Sequence, residues 1–439
     1  MPSPSLDRRT FIGAVGVAGF LGPLRLSLGA DARAADAAGL PFARDLGAMA
    51  GGSADAQYFT EEAMLRELGA PCLREPEGVE AVAYNFPSWH PSKYMEERFG
   101  KGWTEFDTLR EARPLFEGHL WPKFPLWGYF DESDPAWAAR EIDAARDHGL
   151  SAWMIDWYWH DGVQFYHEQL ERGFLRAPNR AKLKFALMWA NHDWKNVYPA
   201  RNPNAAAVML PQTHSPEDFR RVTRYCIDRY FGEPNYWRLD GALVFGIFDL
   251  AKVVGFLGED GTKRALEEMR AAVMKAGLGE LHIQSNNGHG GLEGKLRQLG
   301  VDSATTYQTM AWTYTKPGGS ADAYGTGAAD SVRAWKGQRA LCNVPTFPDC
   351  PVGFDDSPRF GLGAHPAVGR SPDQFERLVR AARHFVADDK ARVVYVSAWN
   401  EWTEDHFLLP DTIWGYSYLE ALKRAIGGEA AGRRLRSNP

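Results

Sequence analysis

The chain has 439 residues, of which 44% are hydrophobic, and a formal net charge of -6. This length and composition allow a large core, in one large domain or two ordinary ones. There is no long basic run, which argues against a nucleic-acid partner.

The first 34 residues have the features of a twin-arginine export signal. Arg8 and Arg9 precede an apolar stretch at 11–24 that is too short to cross a bilayer comfortably. The tripeptide Ala-Arg-Ala at 32–34 offers a cleavage site. We therefore expect a periplasmic or extracellular protein that begins near Ala35 and keeps no membrane anchor. An uncleaved N-terminal anchor is the alternative.

From residue 81 onward, short apolar or β-branched runs alternate with amphipathic helical stretches. This is the pattern of repeated βα units around a parallel sheet. The predicted strands are 81–86, 151–159, 184–191, 242–249, 281–287, 303–308, 340–347 and 391–400. Helices are predicted from residues 134, 215, 261 and 371, and at 412–428. Several of these helices begin with Asp-Pro or Ser-Pro, an N-cap followed by a proline.

Eight βα units over about 350 residues predict the α/β class and a (β/α)8 TIM barrel with long βα loops. We place this barrel at 79–427, after an N-terminal extension at 35–78 and before a basic tail at 428–439. A doubly wound open sheet is the alternative. Against it, no GxGxxG motif follows the first strand, and no phosphate-binding loop motif occurs in the sequence.

The four cysteines are too few and too scattered to build a disulfide scaffold in a chain of this length. They are Cys72, Cys226, Cys342 and Cys350. Cys342 and Cys350 could pair outside the cytoplasm, but free thiols are the simpler interpretation. No CxxC motif occurs, which argues against a metal cluster.

Polar side chains and tryptophans follow the apolar part of most predicted strands. Those singled out are Asn85, Asp156, Trp157, Trp159, Asn191, Asp249, Asn286, Asn287, Gln308, Asn400 and Glu401. In a TIM barrel the carboxyl ends of the strands form the catalytic rim. One such residue could cap the next helix, but capping is a poor explanation for all of them.

Glu401 and Glu404 stand three residues apart where the chain leaves the last strand. If this segment turns helically, both carboxylates share one face. A pair of carboxylates in different environments is the usual equipment for glycoside cleavage. A solvated pair of acids in a loop is the alternative interpretation of this spacing.

Tryptophans cluster near these acids, which favours a carbohydrate ligand. Trp399 and Trp402 flank Glu401, and the other strand ends contribute Trp157, Trp159, Trp189 and Trp194. Indole faces pack on the C–H faces of sugar rings, while Asn, Asp and His bind hydroxyl groups. For any single tryptophan, core packing is the alternative.

Several segments resemble the glycoside hydrolase family 99-like, or WbsX-like, proteins, which are relatives of endo-α-mannosidases. They are FGKGWTEFDTL (99–109), RPLFEGHLWPKFP (113–125), DWYWHDG (156–162), MWANHDW (188–194), YWRLDGALVF (236–245) and AWNEWTED (398–405). The motifs occur in the family's order and span roughly residues 79–415. The resemblance implies a (β/α)8 barrel that acts on oligosaccharide or polysaccharide glycosides.

The resemblance also implies roles for the two glutamates. Glu401 would deprotonate the substrate's own 2-hydroxyl, which attacks C1, and Glu404 would serve as general acid and then base. The outcome would be cleavage with retention of configuration. The chain departs from the family at Asp405, where glycine is common, and in the sequence WANHD, where WANEN-type sequences occur. These departures bear on substrate identity more than on reaction type.

The strand ends and motifs together predict a set of substrate-binding residues. They are Tyr84, Trp103, Glu105, Asp156, Trp157, Tyr158, Trp159, Trp189, Asn191, His192, Asp193, Trp194, Asp249, Asn286, Gln308, Trp399, Asn400 and Trp402.

Three other functions compete with a glycosidase. The first is a glycosyltransferase or transglycosylase acting in polysaccharide assembly. Transfer from a nucleotide sugar would need a donor outside the cytoplasm and a place for its phosphates, yet no phosphate-cradling loop is present. A noncatalytic carbohydrate-binding barrel would have no need of both glutamates. A metal site could use the cluster Asp156, His160, Asp161, His192 and Asp193, but no HExxH-type spacing occurs, so no metal or other cofactor is predicted.

Overall fold

The structure is a computed structural model, which describes residues 58–198, 207–287, 289–310, 322–361, 364 and 366–427. The predicted export signal and the basic tail therefore lie outside the described residues, as does the first part of the predicted N-terminal extension. Within the described ranges, no helix is both long and apolar enough to cross a membrane. All four cysteines are free thiols.

Eight parallel strands in the described part of the chain form the wall of the barrel. They are β1 (Glu80–Asn85), β2 (Leu150–His160), β3 (Lys184–Trp189), β4 (Ala242–Ile247), β5 (Leu281–Ser285), β6 (Ser303–Ala304), β7 (Asp349–Pro351) and β8 (Val393–Ser397). Neighbouring strands pair in the order β6-β5-β4-β3-β2-β1-β8-β7. A parallel bridge between Ala304 and Thr346 joins the two ends of this order. The predicted (β/α)8 fold is confirmed.

Further short strands of the described residues lie in the loops that connect or follow the barrel strands. They are Val163–Phe165, Trp194–Lys195, Val208–Leu210, Arg238–Leu239, Asp322–Ala323, Ala367–Val368, Asn400–Glu401 and His406–Phe407. The last two pair antiparallel directly after β8 and form a hairpin that carries both predicted catalytic glutamates.

The described residues form eleven α-helices, three of which begin at the caps predicted for residues 134, 215 and 371. They are α1 (Glu61–Leu68), α2 (Lys93–Phe99), α3 (Phe106–Glu111), α4 (Pro135–Asp147), α5 (Pro216–Arg229), α6 (Leu250–Lys275), α7 (Leu296–Leu299), α8 (Tyr324–Leu341), α9 (Ser357–Phe360), α10 (Pro372–Phe385) and α11 (Ser417–Gly427). The side chains of Asp134, Ser215 and Ser371 each accept a backbone N–H in the first turn of α4, α5 and α10. These bonds satisfy donors that a helix start otherwise leaves unpaired.

The predicted strand at 340–347 is wrong. Residues 340 and 341 end α8, and the strand lies further on, at Asp349–Pro351. Pro345 and Pro348 have no backbone N–H, so neither can donate to a ladder, and Thr346 between them makes only an isolated bridge. The helix predicted from 261 corresponds to the second part of α6, because the helical segment that begins at Leu250 is interrupted at Gly258, whose φ is 70°. The first part, before Gly258, was not predicted.

The barrel interior beneath the rim contains a buried polar network. Asn286 donates to the hydroxyl of Tyr84 at 3.2 Å, and Tyr395 donates to Gln284. Gln284 in turn donates to Ser303 at 3.0 Å. Buried polar groups that bond each other avoid the free-energy penalty of lost hydration. Asn286 and Tyr84, both predicted to bind substrate, therefore lie in this interior network.

Candidate active site

The hairpin after β8 brings the two predicted catalytic glutamates together. Glu401 ends its first short strand, and residues Trp402–Glu404 form a single 3-10 turn. Asp405 follows with a φ of 55°, in the left-handed region. An oxygen of Glu401, an oxygen of Glu404 and a ring nitrogen of His406 all lie within 4.8 Å of one another. The hairpin therefore brings the two carboxylates together, as their spacing in the sequence predicted.

A single arginine bonds both glutamates. Arg359 comes from α9, in the loop that follows β7, and is buried. Its Nη1 donates to Glu404 Oε1, and its Nη2 lies 3.3 Å from Glu401 Oε2. The same guanidinium contacts Glu105 Oε1 through Nε at 3.1 Å and through Nη2 at 2.7 Å. Arg359 thus sits between three carboxylates.

Glu105 anchors this arginine from the other side. Its side chain is fully buried and accepts hydrogen bonds from Thr403 and, at 2.8 Å, from Tyr198. With Arg359 and these two hydroxyls, the carboxylate has a nearly complete set of donors. Glu105, predicted to bind substrate, thus holds Arg359 and the catalytic turn in place.

The second partners of the two glutamates differ. Tyr307 donates to Glu401 Oε1 at 3.1 Å, whereas Glu404 Oε2 lies 2.8 Å from His406 Nε2. Burial, and then the charge of Glu404, raise the pKa of Glu401 well above its usual value, against the lowering effect of Arg359. Burial also acts to raise the pKa of Glu404, but Arg359 and His406 outweigh it and bring this pKa to about 2. Of the two groups, Glu401 therefore has the higher proton affinity in the empty site.

Asp156 adds a further carboxyl group at the same place. It follows the apolar part of β2, is buried, and its Oδ1 has no hydrogen-bond partner among the described residues. Burial, and then the charge of Glu404, raise the pKa of Asp156 well above its usual value. The neighbouring Tyr158 lies close enough to Asp156 and Glu401 for both charges to raise its pKa, after burial as the main cause.

Three predicted sugar-binding tryptophans face a helix rather than the site, which corrects that prediction. Trp157 and Trp159 stack at 5.6 Å and pack on Tyr225 of α5, and Trp159 donates to Asp218 at the start of that helix. Trp189 donates to the carbonyl of Trp159 and also packs on α5. Successive strand residues point to opposite faces, so Asp156 and Tyr158 take the inner face and these indoles the outer one.

The residues just before Glu401 hold the short strand Asn400–Glu401 in place through buried contacts. Trp399 is fully buried and donates to Glu141 at 3.0 Å. Asn400 accepts from the backbone N–H of Phe86 at 2.7 Å, and its amide donates to the Phe86 carbonyl and to Glu132. With every one of these groups buried, Trp399 and Asn400 position the strand instead of meeting a ligand.

Trp402 is likewise structural, because it is fully buried and stacks on Phe407 at 3.9 Å. Asp249 accepts the backbone N–H of Lys252 and so is the N-cap of α6. Asn191 bonds both the N–H and the carbonyl of Asp249, which ties the ends of β3 and β4 together. These three were predicted to bind substrate. The ring of Trp402 packs within the fold, and the polar side chains of Asp249 and Asn191 bond the backbone.

Gln308 is also part of the fold. It is fully buried, its φ is 53°, and its side chain donates to the carbonyl of Gly353 at 2.9 Å. Its backbone N–H donates to Asp349. Gln308 therefore braces the start of the loop that carries Arg359.

Aromatic residues from other loops do border the acidic cluster. Tyr198, which bonds Glu105, has its ring 5.4 Å from Trp103 and 6.4 Å from Trp194. Trp194 also packs edge-on against Tyr158 at 5.1 Å. Trp103 and Trp194 are therefore the predicted tryptophans that the structure brings toward the glutamates.

His192 and Asp193 lie on the outer part of this rim. His192 stacks on Trp194 at 6.2 Å, and burial lowers its pKa. Asp193 forms an ion pair with Lys252 at 2.6 Å and accepts the N–H of Gln212. Asp193 thus ties β3's loop to α6.

The alternative metal cluster does not assemble in the described residues. His160 contacts the carbonyl of His192, Asp161 pairs with Arg221, and Asp193 is held by Lys252. The group Glu401, Glu404 and His406 is compact enough for an ion, but Arg359 and Tyr307 already bind its carboxylate oxygens. We assign no metal to either group.

Sequence reasoning missed three residues that contact the two glutamates, Arg359, Tyr307 and His406. Arg359 lies in a four-residue helix without a recognisable motif, and Tyr307 follows β6, the shortest of the barrel strands. His406 stands two residues after Glu404, and a hairpin at the strand end would have placed it near the pair.

The sequence model of the family described as "Glycosyltransferase WbsX" matches residues 81–422. Among curated proteins, the chain is similar to uncharacterized protein WxcX of Xanthomonas campestris pv. campestris, at 26% identity over 382 residues. The match covers 84% of this chain and 52% of that relative, and a second strain gives the same figures. The chain thus spans about half the length of the curated relatives it matches.

Two solved structures share the fold. One, described as a glycoside hydrolase-like protein, has a TM-score of 0.55 at 14% identity. The match covers 81% of this chain and 96% of the other protein's chain. The other is the GH99 endo-alpha-mannosidase from Bacteroides thetaiotaomicron, with a TM-score of 0.51 at 15% identity. It covers 82% of this chain and all of its own. At such identities the likeness concerns the fold alone.

Proposed function

Because the chain belongs to the WbsX family and folds as a TIM barrel, we propose that it is a glycoside hydrolase that cleaves α-linked glycosides with retention. The observation that carries this proposal is the pair Glu401 and Glu404, which converge within 4.8 Å at the carboxyl end of the barrel. The α-linkage, with α-mannosides as first candidates, comes from the family resemblance alone.

The separation of the carboxyl groups supports retention. Inverting glycosidases hold a water between carboxyl and sugar and need roughly 6.5 to 9.5 Å between the two groups, whereas retaining enzymes have about 5 to 5.5 Å. The oxygens of Glu401 and Glu404 approach within 4.8 Å, which favours the shorter arrangement.

The family resemblance supplies the division of labour. Glu401 takes the proton of the substrate's 2-hydroxyl, this oxygen attacks C1, and Glu404 protonates the leaving oxygen. A water then attacks C1 of the cyclic intermediate and gives a proton to Glu404, while Glu401 returns its proton to the 2-oxygen. Tyr307 and Arg359 bond Glu401 and hold it in place for this role.

A glycosyltransferase is the second candidate, because the family's description names that activity. The charge of the site speaks against a nucleotide-sugar donor. The phosphates of such a donor would lie next to the carboxyl groups of Glu105, Asp156, Glu401 and Glu404. Arg359 could not offset these groups, because it already forms ion pairs with three of them. Like charges in a buried site repel strongly. A noncatalytic carbohydrate-binding barrel is less favoured still, since binding needs neither glutamate.

The function can be tested by screening the purified chain against a panel of α-linked oligosaccharides, with α-mannosides included. Each substrate is incubated with wild type, Glu401→Gln and Glu404→Gln, so that contaminating activity is separated from activity at this site. In parallel, nucleotide sugars are offered with the same oligosaccharides as acceptors. Release of reducing ends by wild type alone supports a hydrolase. Sugar transfer from a nucleotide that both variants lose would establish the transferase instead.

A further inference from the structure

The proposed chemistry uses the contact of Arg359 with Glu401 but leaves its contact with Glu404 without a role. Arg359 reaches the glutamates from the loop after β7, and its guanidinium is bonded on one edge to Glu105 and at the opposite nitrogen to Glu404. Its contact with Glu401 is the longest of the set, at 3.3 Å. The cation is therefore shared unequally between the two catalytic residues.

We propose that Arg359 is a positioning residue that keeps Glu404 ionised in the empty site, so that Glu404 gains its proton only when a substrate separates it from the guanidinium. The proposal deepens the proposed function and rests on it for its catalytic meaning. It concerns the resting charge of the site and the step that prepares the general acid.

The geometry around Glu404 supports an ionised resting state. Its Oε1 accepts from Arg359 and its Oε2 lies 2.8 Å from His406, so both oxygens face nitrogen groups. Glu401 instead has a neutral phenol at 3.1 Å, from Tyr307. The pKa of Glu404, lowered by Arg359 and His406 despite burial, and the raised pKa of Glu401 agree with this arrangement. The titratable or charged groups around the pair are Glu105, Asp156, Tyr158, Tyr307, Arg359 and His406.

The bonds to Glu105 allow Arg359 to leave Glu404 without becoming an unpaired buried charge. Glu105 Oε1 accepts from both Nε and Nη2 of Arg359, at 3.1 and 2.7 Å, in charge-assisted hydrogen bonds. Glu105 is itself fixed by Tyr198 and Thr403. A sugar hydroxyl that enters between Nη1 and Glu404 breaks one ion pair and leaves the ion pair with Glu105 intact. Losing its ion pair with Arg359 raises the proton affinity of Glu404, so Glu404 takes up the proton that Glu401 holds in the empty site. Glu404 is then the acid and the ionised Glu401 the base.

The test is a pH titration of the empty enzyme labelled with carbon-13 at glutamate Cδ. NMR records the signals of the individual carboxyl groups at each pH. Glu401→Gln and Glu404→Gln assign the two signals by their disappearance. In wild type we expect Glu404 to stay ionised to the lowest pH at which the fold persists, and Glu401 to titrate above the usual range. In Arg359→Gln the Glu404 midpoint should rise by roughly 1 to 3 pH units, as expected when an opposite charge is removed.

Arg359→Lys keeps the charge and should give a smaller rise, and the exposed Arg220→Gln should give none. A Glu404 signal that titrates in the ordinary range in wild type would overturn the proposal, and this result needs no variant of Arg359 to fold. An unchanged Glu404 midpoint in folded Arg359→Gln would overturn it as well. Because the titration requires no turnover, failure of the hydrolase proposal shows in the substrate panel and not here.

Discussion

Glu401 and Glu404 bind the same guanidinium but differ in their second partner, a tyrosine hydroxyl for Glu401 and a histidine ring for Glu404. Two carboxyl groups of one hairpin thus have distinct electrostatic environments. Different environments for chemically identical groups are how a site obtains both an acid and a base.

Glu401→Gln and Glu404→Gln should each reduce kcat/KM by about 10²- to 10⁴-fold, the usual contribution of a general acid or base. An amide keeps the shape of the side chain but cannot exchange the proton. Circular dichroism and urea unfolding should show both variants folded. Glu62→Gln, at an exposed position on α1, serves as the matched control and should keep full activity.

The same two variants should differ in their response to the leaving group. A substrate with a good leaving group needs no protonation, so it should partly rescue Glu404→Gln and not Glu401→Gln. Initial rates with aryl glycosides of graded leaving-group pKa measure this difference. The opposite pattern would show that Glu401 is the acid and would reverse the assignment that the family resemblance implies.

A second pair of carboxyl groups lies next to the short strand Asn400–Glu401 and should make stability depend on pH. Glu132 and Glu141 are both buried, and they bind Asn400 and Trp399. Burial raises the pKa of Glu141 to about 8, and burial together with Glu141 raises the pKa of Glu132 well above its usual value.

The sign follows from linkage. In the unfolded chain these groups ionise near their ordinary pKa, about 4.3 for Glu, so between that pH and about 8 the folded state binds more protons. At low pH both carboxyl groups are neutral in the folded and in the unfolded chain. As pH rises through this window the unfolded chain releases these protons more readily, so the free energy of unfolding falls. Glu141→Gln should therefore gain stability over wild type at pH 8 and change little at pH 4. Each pKa unit corresponds to about 1.4 kcal/mol, so the gain should be on the order of a few kcal/mol.

Urea unfolding of Glu141→Gln and wild type at both pH values checks this prediction. The difference between the two proteins is the quantity to compare, because other buried groups affect both equally. Glu62→Gln again provides the control. If the difference in stability between the two proteins is the same at pH 4 and pH 8, the pKa of Glu141 is not raised in the folded protein.

Asp405, at a position where family members commonly have glycine, should be needed for stability in this chain. Its φ of 55° suits glycine, yet its buried carboxylate pairs with Lys123 at 2.5 Å and Arg370 at 2.9 Å. Asp405→Gly relieves the backbone but leaves two buried cations short of a partner, and breaking such a pair destabilises by about 3 to 5 kcal/mol. The free energy of unfolding in urea measures this loss.

Asp161→Gly is the matched control, because Asp161 has a similar φ of 48° but an exposed side chain. Its loss of an exposed ion pair with Arg221 should change stability by about 1 kcal/mol or less. Similar effects at both positions would show that backbone conformation, and not the buried ion pair, decides the cost at Asp405.

Much of the fold follows from local sequence patterns. The βα alternation and the Asp-Pro and Ser-Pro helix starts identify most strands and three helix N-termini correctly. The prediction failed at β7, where prolines confine the ladder to a few residues. It also missed α8, in which the glycines at 325, 327 and 337 weaken the helical signal.

The site was predictable where the chemistry is local and not where it depends on tertiary contacts. Glu401 and Glu404 share one hairpin, so their spacing was informative. The alternation of side chains along β2 could have separated inward Asp156 from outward Trp157, but strand-end residues were considered as one group. Arg359 lies 42 positions before Glu401 in the sequence and contacts the glutamates only in the folded chain. No local sequence pattern therefore predicts its place in the site.

The last prediction concerns the nucleophile. The short approach of Glu401 and Glu404 favours retention, but it is equally compatible with an ordinary covalent intermediate on a glutamate. The choice of the 2-hydroxyl comes from the family resemblance. A 2-deoxy or 2-fluoro substrate removes this internal nucleophile, so both should be inert and should leave no sugar attached to Glu401. Proton NMR of the first product formed from an ordinary substrate should show retained configuration. A covalent adduct on Glu401 detected by mass spectrometry, or an inverted product, would show that the 2-hydroxyl is not the nucleophile.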